Sequence, residues 1–191
     1  MKYPATVVLL SVLLMAGTAT TALAAIDDNE SPVVVHVSKH GDLITVDADF
    51  SVSVPPRQAW EVLTDFDHMS RFISNVTFSA VTARQRDKLQ VTQKGAAQRG
   101  PLSFSFDSVR EIELKPFEKI TTHLLSGNMK QLDGTTLLSA SEVGTHIVYH
   151  AESIPNTFVP PLIGTAFIET ESRHQFEQMR VEMLTRKAAM K

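Results

Sequence analysis

The chain contains no cysteine among its 191 residues, which excludes disulfide bridges, thiolate metal sites and cysteine nucleophiles. Positive charge is not in excess either, because 18 Lys and Arg residues stand against 21 Asp and Glu residues. A chain without a basic surplus has little with which to neutralise phosphates, so we expect no nucleic-acid partner. Its hydrophobic content of 43% and charged content of 20% are those of a globular protein, and its length predicts one domain.

Several motifs of enzyme chemistry are also missing. The sequence has no GxSxG nucleophile elbow, no GxxxxGK(S/T) phosphate loop and no GxGxxG dinucleotide fingerprint. His146 and His150 have the spacing of zinc ligands on a helix, but they fall in a predicted strand, where four residues span about 13 Å. We therefore expect no metal site and no cofactor, and we assign no catalytic residue.

Long apolar runs are scarce. One run spans residues 7–16, which is well short of the roughly twenty residues that cross a bilayer. It follows Lys2 and precedes Ala22-Leu23-Ala24, an A-x-A cleavage signature. Residues 1–24 are therefore predicted to be a Sec-type signal peptide, cleaved after Ala24. This predicts a periplasmic protein, or alternatively a secreted one, with no transmembrane segment in the mature chain.

The first part of the mature chain changes from strand to helix patterns. Residues 25–41 are predicted to be a polar leader with at most one short strand, at 33–37. From 44 to 54 apolar and polar side chains alternate, which is the period of a half-buried strand. Pro55 and Pro56 end this strand, and residues 56–66 then carry apolar side chains at helical spacing.

The remainder predicts a sheet closed by a long helix. Residues 67–73 predict a second short helix, and a proline-free helix runs from Leu162 to about Arg186, before a tail at 188–191. Between them lie six strand patterns, with a bulge expected at Gly134. The order β-α-α-β6-α predicts an α+β helix-grip fold, in which a curved antiparallel sheet of about seven strands wraps around the C-terminal helix. The six strands are predicted at 76–83, 89–96, 102–114, 119–126, 129–140 and 146–154.

Val54 to Phe66 (VPPRQAWEVLTDF) and the following DHMSRFISNV resemble the opening segment of START-like, or SRPBCC, proteins. The resemblance continues at Gly144-Thr145, Val148-Tyr149, Ile154-Pro155 and Pro160-Pro161. It covers residues 42–187 and is closest to the coenzyme-Q-binding and polyketide cyclase/dehydrase-like subgroup. The resemblance implies an apolar cavity between the sheet and the long helix. Members bind lipids, quinones, sterols or polyketides, and a minority are enzymes.

We expect the ligand to lie between the inner face of the strands and the start of the long helix. The short second helix is predicted to be a flap over the mouth of the cavity, since it packs little core and such elements open most readily. Simple core packing is the alternative for the aromatic residues, and a surface position is the alternative for His174. The predicted ligand-binding residues are Met69, Phe72, Phe104, Phe106, Leu124, Leu138, Tyr149, Phe167, Thr170 and His174.

The leading functional hypothesis is a non-enzymatic carrier or sensor of a hydrophobic small molecule, such as a quinone, lipid or polyketide. The alternative is a cyclase or dehydratase-type enzyme that uses His174, Tyr149 or Asp107 for proton transfer. A third is an interaction module whose cavity is filled by its own side chains. A buried polar pair inside the cavity would favour the enzyme, a purely apolar lining the carrier, and no cavity the module. The sequence predicts no particular protein partner.

Overall fold

The computed structural model describes residues 31–99 and 102–189, and the predicted signal peptide lies outside these ranges. The described residues form one antiparallel sheet of eight strands, three α-helices and a 3-10 turn, which is the predicted α+β helix-grip fold. The elements are β1 (Val34–His40), β2 (Leu43–Val52), α1 (Pro56–Leu63), the 3-10 turn (Phe66–His68), α2 (Met69–Phe72), β3 (Val76–Gln85), β4 (Lys88–Arg99), β5 (Leu102–Lys115), β6 (Lys119–Gly127), β7 (Met129–Ser141), β8 (Gly144–Pro155) and α3 (Ile163–Ala189). The strand order across the sheet is β1-β2-β8-β7-β6-β5-β4-β3. Of the helices described, none has the length and apolar character needed to cross a membrane.

The sheet has eight strands rather than about seven because β1 pairs along its whole length with β2, from Val34 opposite Asp49 to His40 opposite Leu43. Gly41 forms the tight turn between them with a φ of 62°, a backbone conformation that favours glycine. Alternate side chains of β1 are buried, and the strand packs against α3. The hairpin is therefore part of the core.

The segment of short helices contributes more to the core than we expected from the sequence. Pro56 occupies the start of α1, where its missing N–H removes no helical hydrogen bond. An ion pair of 2.7 Å between Asp65 and Arg186 ties the segment to α3. The expectation that the short second helix packs little core is therefore wrong, because Phe66, Met69 and Ile73, in and beside it, are buried. The buried apolar side chains of the whole segment include Trp60, Leu63, Phe66 and Met69.

The long helix α3 packs against β1, β2, α1 and α2. The ring of Phe176 lies 5.6 Å from that of Phe50 and 5.1 Å from that of Tyr149. Arg180 donates a hydrogen bond of 2.7 Å to the carbonyl of Ser31, and Lys187 donates one to the carbonyl of Ser53. The second half of the helix is thus fastened by both apolar and polar contacts.

The bulge in β7 is not at Gly134, which pairs regularly with Thr122 on one side and Ala151 on the other. The register instead shifts between Met129 and Gln131, where β7 begins. The expectation of a bulge at Gly134 is therefore wrong. Packing does not require glycine there either, because an added Cβ would lie 3.5 Å from Ala151 and 3.7 Å from the hydroxyl of Tyr149, which are ordinary van der Waals distances.

Candidate ligand-binding site

A cavity of about 280 Å³ lies between the inner face of the sheet and the first half of α3. Small-molecule sites typically occupy roughly 300–1,000 Å³, so this volume is just below that range. The side chains of the fold therefore do not fill its interior. The apolar part of the lining includes Ile44, Leu63, Ile73, Phe104, Phe106, Ile120, Leu132, Phe167, Phe176 and Met179.

The structure brings half of the predicted ligand-binding residues together around this cavity. Those that line it are Met69, Phe104, Phe106, Tyr149 and Phe167. They come from α2, β5, β8 and α3, so one contiguous wall is assembled from distant parts of the chain. Their contact with a ligand stays a prediction.

Two predicted strand residues lie on the correct face but outside the lining. Leu138 is buried on the same face of β7 as Thr136, which lines the cavity. Leu124 is half-buried on the same face of β6 as Thr122, which does line the cavity. The alternation of the strands identified the face, but it carries no information on how far the cavity extends along each strand.

The three remaining predicted residues also lie outside the lining. Phe72 is half-buried, with the guanidinium of Arg186 5.7 Å from its ring centre. Thr170 turns its hydroxyl back to the carbonyl of Ala166 at 2.8 Å, and His174 is exposed. The face of α3 that carries these two side chains is turned away from the cavity.

Arg110 is the residue of greatest consequence that the sequence analysis did not select. It lies on the same face of β5 as Phe104 and Phe106, and it lines the cavity. Its Nη2 donates a hydrogen bond of 2.6 Å to Oε1 of Gln93, while its Nε is buried without a partner. Among the described residues it forms no ion pair with a carboxylate. The period of two along β5 was the signal that could have identified it.

The hydrogen bond to Gln93 extends into a small polar group. The Gln93 amide nitrogen donates to Oγ of Ser79 at 3.3 Å and approaches Sδ of Met69 at 3.4 Å. These contacts hold the Gln93 carbonyl oxygen toward Arg110. Four of the five N–H donors of the guanidinium are left without an acceptor in the described part of the chain.

Two side chains in the cavity have shifted pKa values, and the main cause of both shifts is burial away from water. Burial lowers the pKa of Arg110, and Tyr149 nearby acts in the opposite direction. Burial also raises the pKa of the Tyr149 phenol, which the charge of Arg110 partly offsets. At neutral pH the guanidinium is charged and the phenol is protonated, so both present N–H or O–H donors to the cavity.

A second polar group lines the cavity from the side of α3. Gln175 donates a hydrogen bond of 2.7 Å to Oδ1 of Asn75, and Asn75 donates one of 3.4 Å to Oε2 of Glu171. All three residues line the cavity. Glu171 therefore places a carboxylate in its wall, a feature that the helical pattern did not suggest.

The residues considered for proton transfer are separated in the structure. Tyr149 lines the cavity, whereas His174 is exposed. Asp107 forms an ion pair of 2.8 Å with Lys94, and the side chains of both are about half exposed. Tyr149 is therefore the one of the three that faces the cavity.

The two histidines with zinc-like spacing lie in separate polar pairs. His146 contacts Asp49 at 3.0 Å and His150 contacts Asp47 at 2.7 Å, each across the β2–β8 ladder. No group of three or more metal-ligating side chains occurs within residues 31–99 and 102–189.

Fold and cavity together define a helix-grip protein with a cavity between its sheet and its long helix. A family described as polyketide cyclase/dehydrase and lipid transport matches residues 52–180. The chain belongs to this family, and the START-like resemblance of its sequence is thereby confirmed. No curated protein sequence matches the chain significantly.

Solved structures share this fold at low sequence identity. The Zhui aromatase/cyclase from Streptomyces sp. R1128 is 14% identical with a TM-score of 0.62, over 75% of this chain and 95% of that one. A STAR-related lipid transfer protein from Xanthomonas axonopodis is 9% identical with a TM-score of 0.60, over 80% and 99%. A START superfamily protein from Mycobacterium smegmatis is 12% identical with a TM-score of 0.59, over 76% and 99%. At these identities the likeness establishes the fold alone.

Proposed function

We propose that this protein binds a hydrophobic small molecule whose head group carries acceptor oxygens, with the head group against Arg110 and the apolar part among the aromatic side chains. The observation that carries this proposal is the guanidinium of Arg110, which faces the cavity with one protein hydrogen bond. A buried charge without a counter-charge is costly. A carboxylate, ketone or quinone oxygen would supply the missing acceptors, and hydrogen bonds to guanidinium are among the stronger ones in proteins.

The proposed ligand class is that of the sequence hypothesis: a lipid, quinone or polyketide. The family description includes lipid transport, and the neighbours include a lipid transfer protein and an aromatase/cyclase. We propose a carrier role for this chain, because the apolar side chains around the cavity would shield a ligand from water. The predicted signal peptide at residues 1–24 supports an exported, periplasmic carrier.

A cyclase or dehydratase-type reaction is the second candidate, and a specific observation favours it. The lining is not purely apolar, since the charged Arg110 and the protonated Tyr149 lie close enough to influence each other's pKa. Two donors of this kind can stabilise the oxyanion of an enolate formed from a bound ketone. Glu171, also in the lining, is the carboxylate available to accept the α-proton.

The binding proposal is tested with two fluorescent probes of similar shape. cis-Parinarate carries a carboxylate, whereas diphenylhexatriene is a pure hydrocarbon. We expect Arg110→Met to weaken cis-parinarate binding at least tenfold and to leave diphenylhexatriene binding unchanged, because only the head-group contact is lost. Arg57→Met, at a side chain that is 80% exposed, is the matched control and should change neither. Equal binding of cis-parinarate by wild type and Arg110→Met would overturn the proposal.

The two candidate functions are separated by proton exchange. An enzyme of the second kind would exchange the α-protons of a bound aryl ketone for deuterium in D₂O, which is followed by NMR. Tyr149→Phe should stop this exchange while ketone binding persists. A carrier would bind the ketone without accelerating exchange in either form.

A further inference from the structure

The three most exposed large apolar side chains of the described residues lie close together in sequence. Phe158 is 80% exposed, Leu162 83% and Ile163 64%. They belong to the loop between β8 and α3 and to the first residue of that helix. We call Phe158, Leu162 and Ile163 the apolar tip. Isolated exposed apolar residues are common, but a cluster of this kind marks a surface that meets something apolar.

The backbone beneath the tip is held in place. Val159 is buried, and Gly164 lies so close to Val159 and Pro160 that a side chain at Gly164 would overlap them. The amide of Gly164 donates a hydrogen bond of 2.9 Å to the carbonyl of Pro160. Phe158 thus points outward next to an inward-pointing Val159. The exposure of the tip comes from a defined loop conformation.

The backbone conformation of Leu162 is a second sign that the exposure of the apolar tip has a function. Its φ of 63° lies in the left-handed region, which costs a leucine free energy and which glycine or asparagine adopts more easily. The chain therefore holds a large apolar side chain in solvent at a position where the backbone favours a small or polar residue. This is the pattern expected of a residue kept for contact with a partner.

The position and chemistry of the tip favour a lipid surface as that partner. The tip is flanked by Pro155 at the end of β8 and by Phe167 one turn into α3, and both line the cavity. No residue from 153 to 168 is charged. Specific protein interfaces bury roughly 800 Å² per partner with a polar rim, which is far more than three side chains provide. We propose that the apolar tip inserts into the surface of a lipid bilayer and brings the adjacent end of the cavity to it.

The proposal is tested with vesicles and without any cavity ligand, so its outcome is independent of the ligand proposal. The vesicles are of phosphatidylcholine, either alone or mixed with phosphatidylglycerol, and bound protein is measured by co-sedimentation. We expect wild type to bind both kinds, with little change at high salt, because the contact is apolar. The variant Phe158→Ser/Leu162→Asn should bind roughly tenfold or more weakly, since it removes two large apolar side chains.

This variant leaves the fold intact by design. Phe158 is in solvent, and asparagine tolerates the backbone conformation at position 162. Val143→Ser is the matched control, since Val143 is 55% exposed in the turn at the opposite end of β8. Its vesicle binding should equal that of wild type. Circular dichroism and thermal unfolding check that all three proteins are folded.

A tryptophan at the tip gives a second readout. Phe158→Trp should show a blue shift of its added emission on mixing with vesicles and quenching by brominated lipid, whereas Val143→Trp should show neither. The proposal is overturned if wild type binds neither kind of vesicle. It is overturned equally if Phe158→Ser/Leu162→Asn binds vesicles as wild type does. Loss of self-association in that variant, without loss of vesicle binding, would show that the tip is a protein contact.

Discussion

Gly95 and Phe106 face each other across the β4–β5 ladder, and the ring of Phe106 lies directly over the α-carbon of Gly95. A side-chain carbon at position 95 would come within 2.3 Å of that ring and 2.2 Å of the Asn75 carbonyl oxygen. Glycine at this position therefore sets how deep Phe106 can lie in the cavity wall. The cavity owes part of its shape to a missing side chain.

Gly95→Ala should displace the Phe106 ring and lower the free energy of unfolding by roughly 1–3 kcal/mol, because the added methyl group overlaps both ring and backbone. Denaturant unfolding measures this loss. Gly134→Ala is the matched control, since its added methyl group would meet neighbours at 3.5 Å or more. The control should be tolerated. Equal stability of the two variants would contradict the close approach at Gly95.

Larger side chains in the wall of the cavity should block ligand uptake. Phe104→Trp and Phe167→Trp each add volume to a residue of the lining, and overpacking should cost roughly 1–3 kcal/mol of unfolding free energy. Binding of cis-parinarate should fall sharply in both. Phe72→Trp is the control, because Phe72 lies outside the lining. If both lining variants fold and bind as wild type does, the ligand site lies elsewhere.

Arg110→Met should weaken ligand binding without lowering the stability of the fold. Methionine replaces a buried guanidinium that lacks a counter-charge, and such replacements are often neutral or stabilising. We therefore expect the ligand-free variant to melt at the same temperature as wild type or higher, measured by calorimetry. Arg180→Met should instead destabilise, because it removes the hydrogen bond to Ser31. A large drop in melting temperature for Arg110→Met would indicate that Arg110 is structural.

Acid should weaken the contact between the short helices and α3. Burial acts to raise the pKa of Asp65, but hydrogen bonds with Arg186 and His68 outweigh it, so the pKa is lowered. A carboxyl with a depressed folded-state pKa stabilises the fold above its unfolded value of about 3.9, and this is lost as the pH falls through the folded-state value. Below a pH of about 4, wild-type stability should therefore fall more steeply with pH than that of Asp65→Asn.

At pH 7, Asp65→Asn should have an unfolding free energy about 1–2 kcal/mol below that of wild type, because it loses a charge-assisted hydrogen bond that is largely shielded from water. Urea unfolding across a pH series measures both effects. Glu61→Gln is the control, since its ion pair with Arg57 is exposed and should contribute nothing measurable. Parallel pH profiles for wild type and Asp65→Asn would contradict a lowered pKa of Asp65 in the folded protein.

The sequence was most informative where periodicity was regular. The alternation along β5 placed Phe104 and Phe106 on the inner face, and both line the cavity. The same alternation extends to Arg110, although a charged side chain is ordinarily found in solvent. Strand periodicity reports the face of a residue, whereas the presence of an enclosed space depends on how the whole sheet curves around α3.

The long helix was harder to interpret. Its predicted ligand-binding residues were Phe167, Thr170 and His174, of which Phe167 lines the cavity. Polar Glu171 and Gln175 point to the cavity instead. A helix that borders a polar-lined cavity has no purely apolar inner face, so hydrophobic spacing cannot orient it. The short helices were misjudged for a related reason, because their core contacts come from distant segments.

The fastening of α3 has a consequence for how a ligand would pass in and out. Arg180, Arg186 and Lys187 hold its second half to other segments by hydrogen bonds, whereas its first half borders the cavity and is held through Glu171 and Gln175, which pair with Asn75. The first turns of the helix, which begin near Phe158, are therefore its least firmly held part. Amide hydrogens of residues 165–172 should exchange with solvent faster than those of 176–187. Passage by a swing of the first turns would leave the sheet undisturbed.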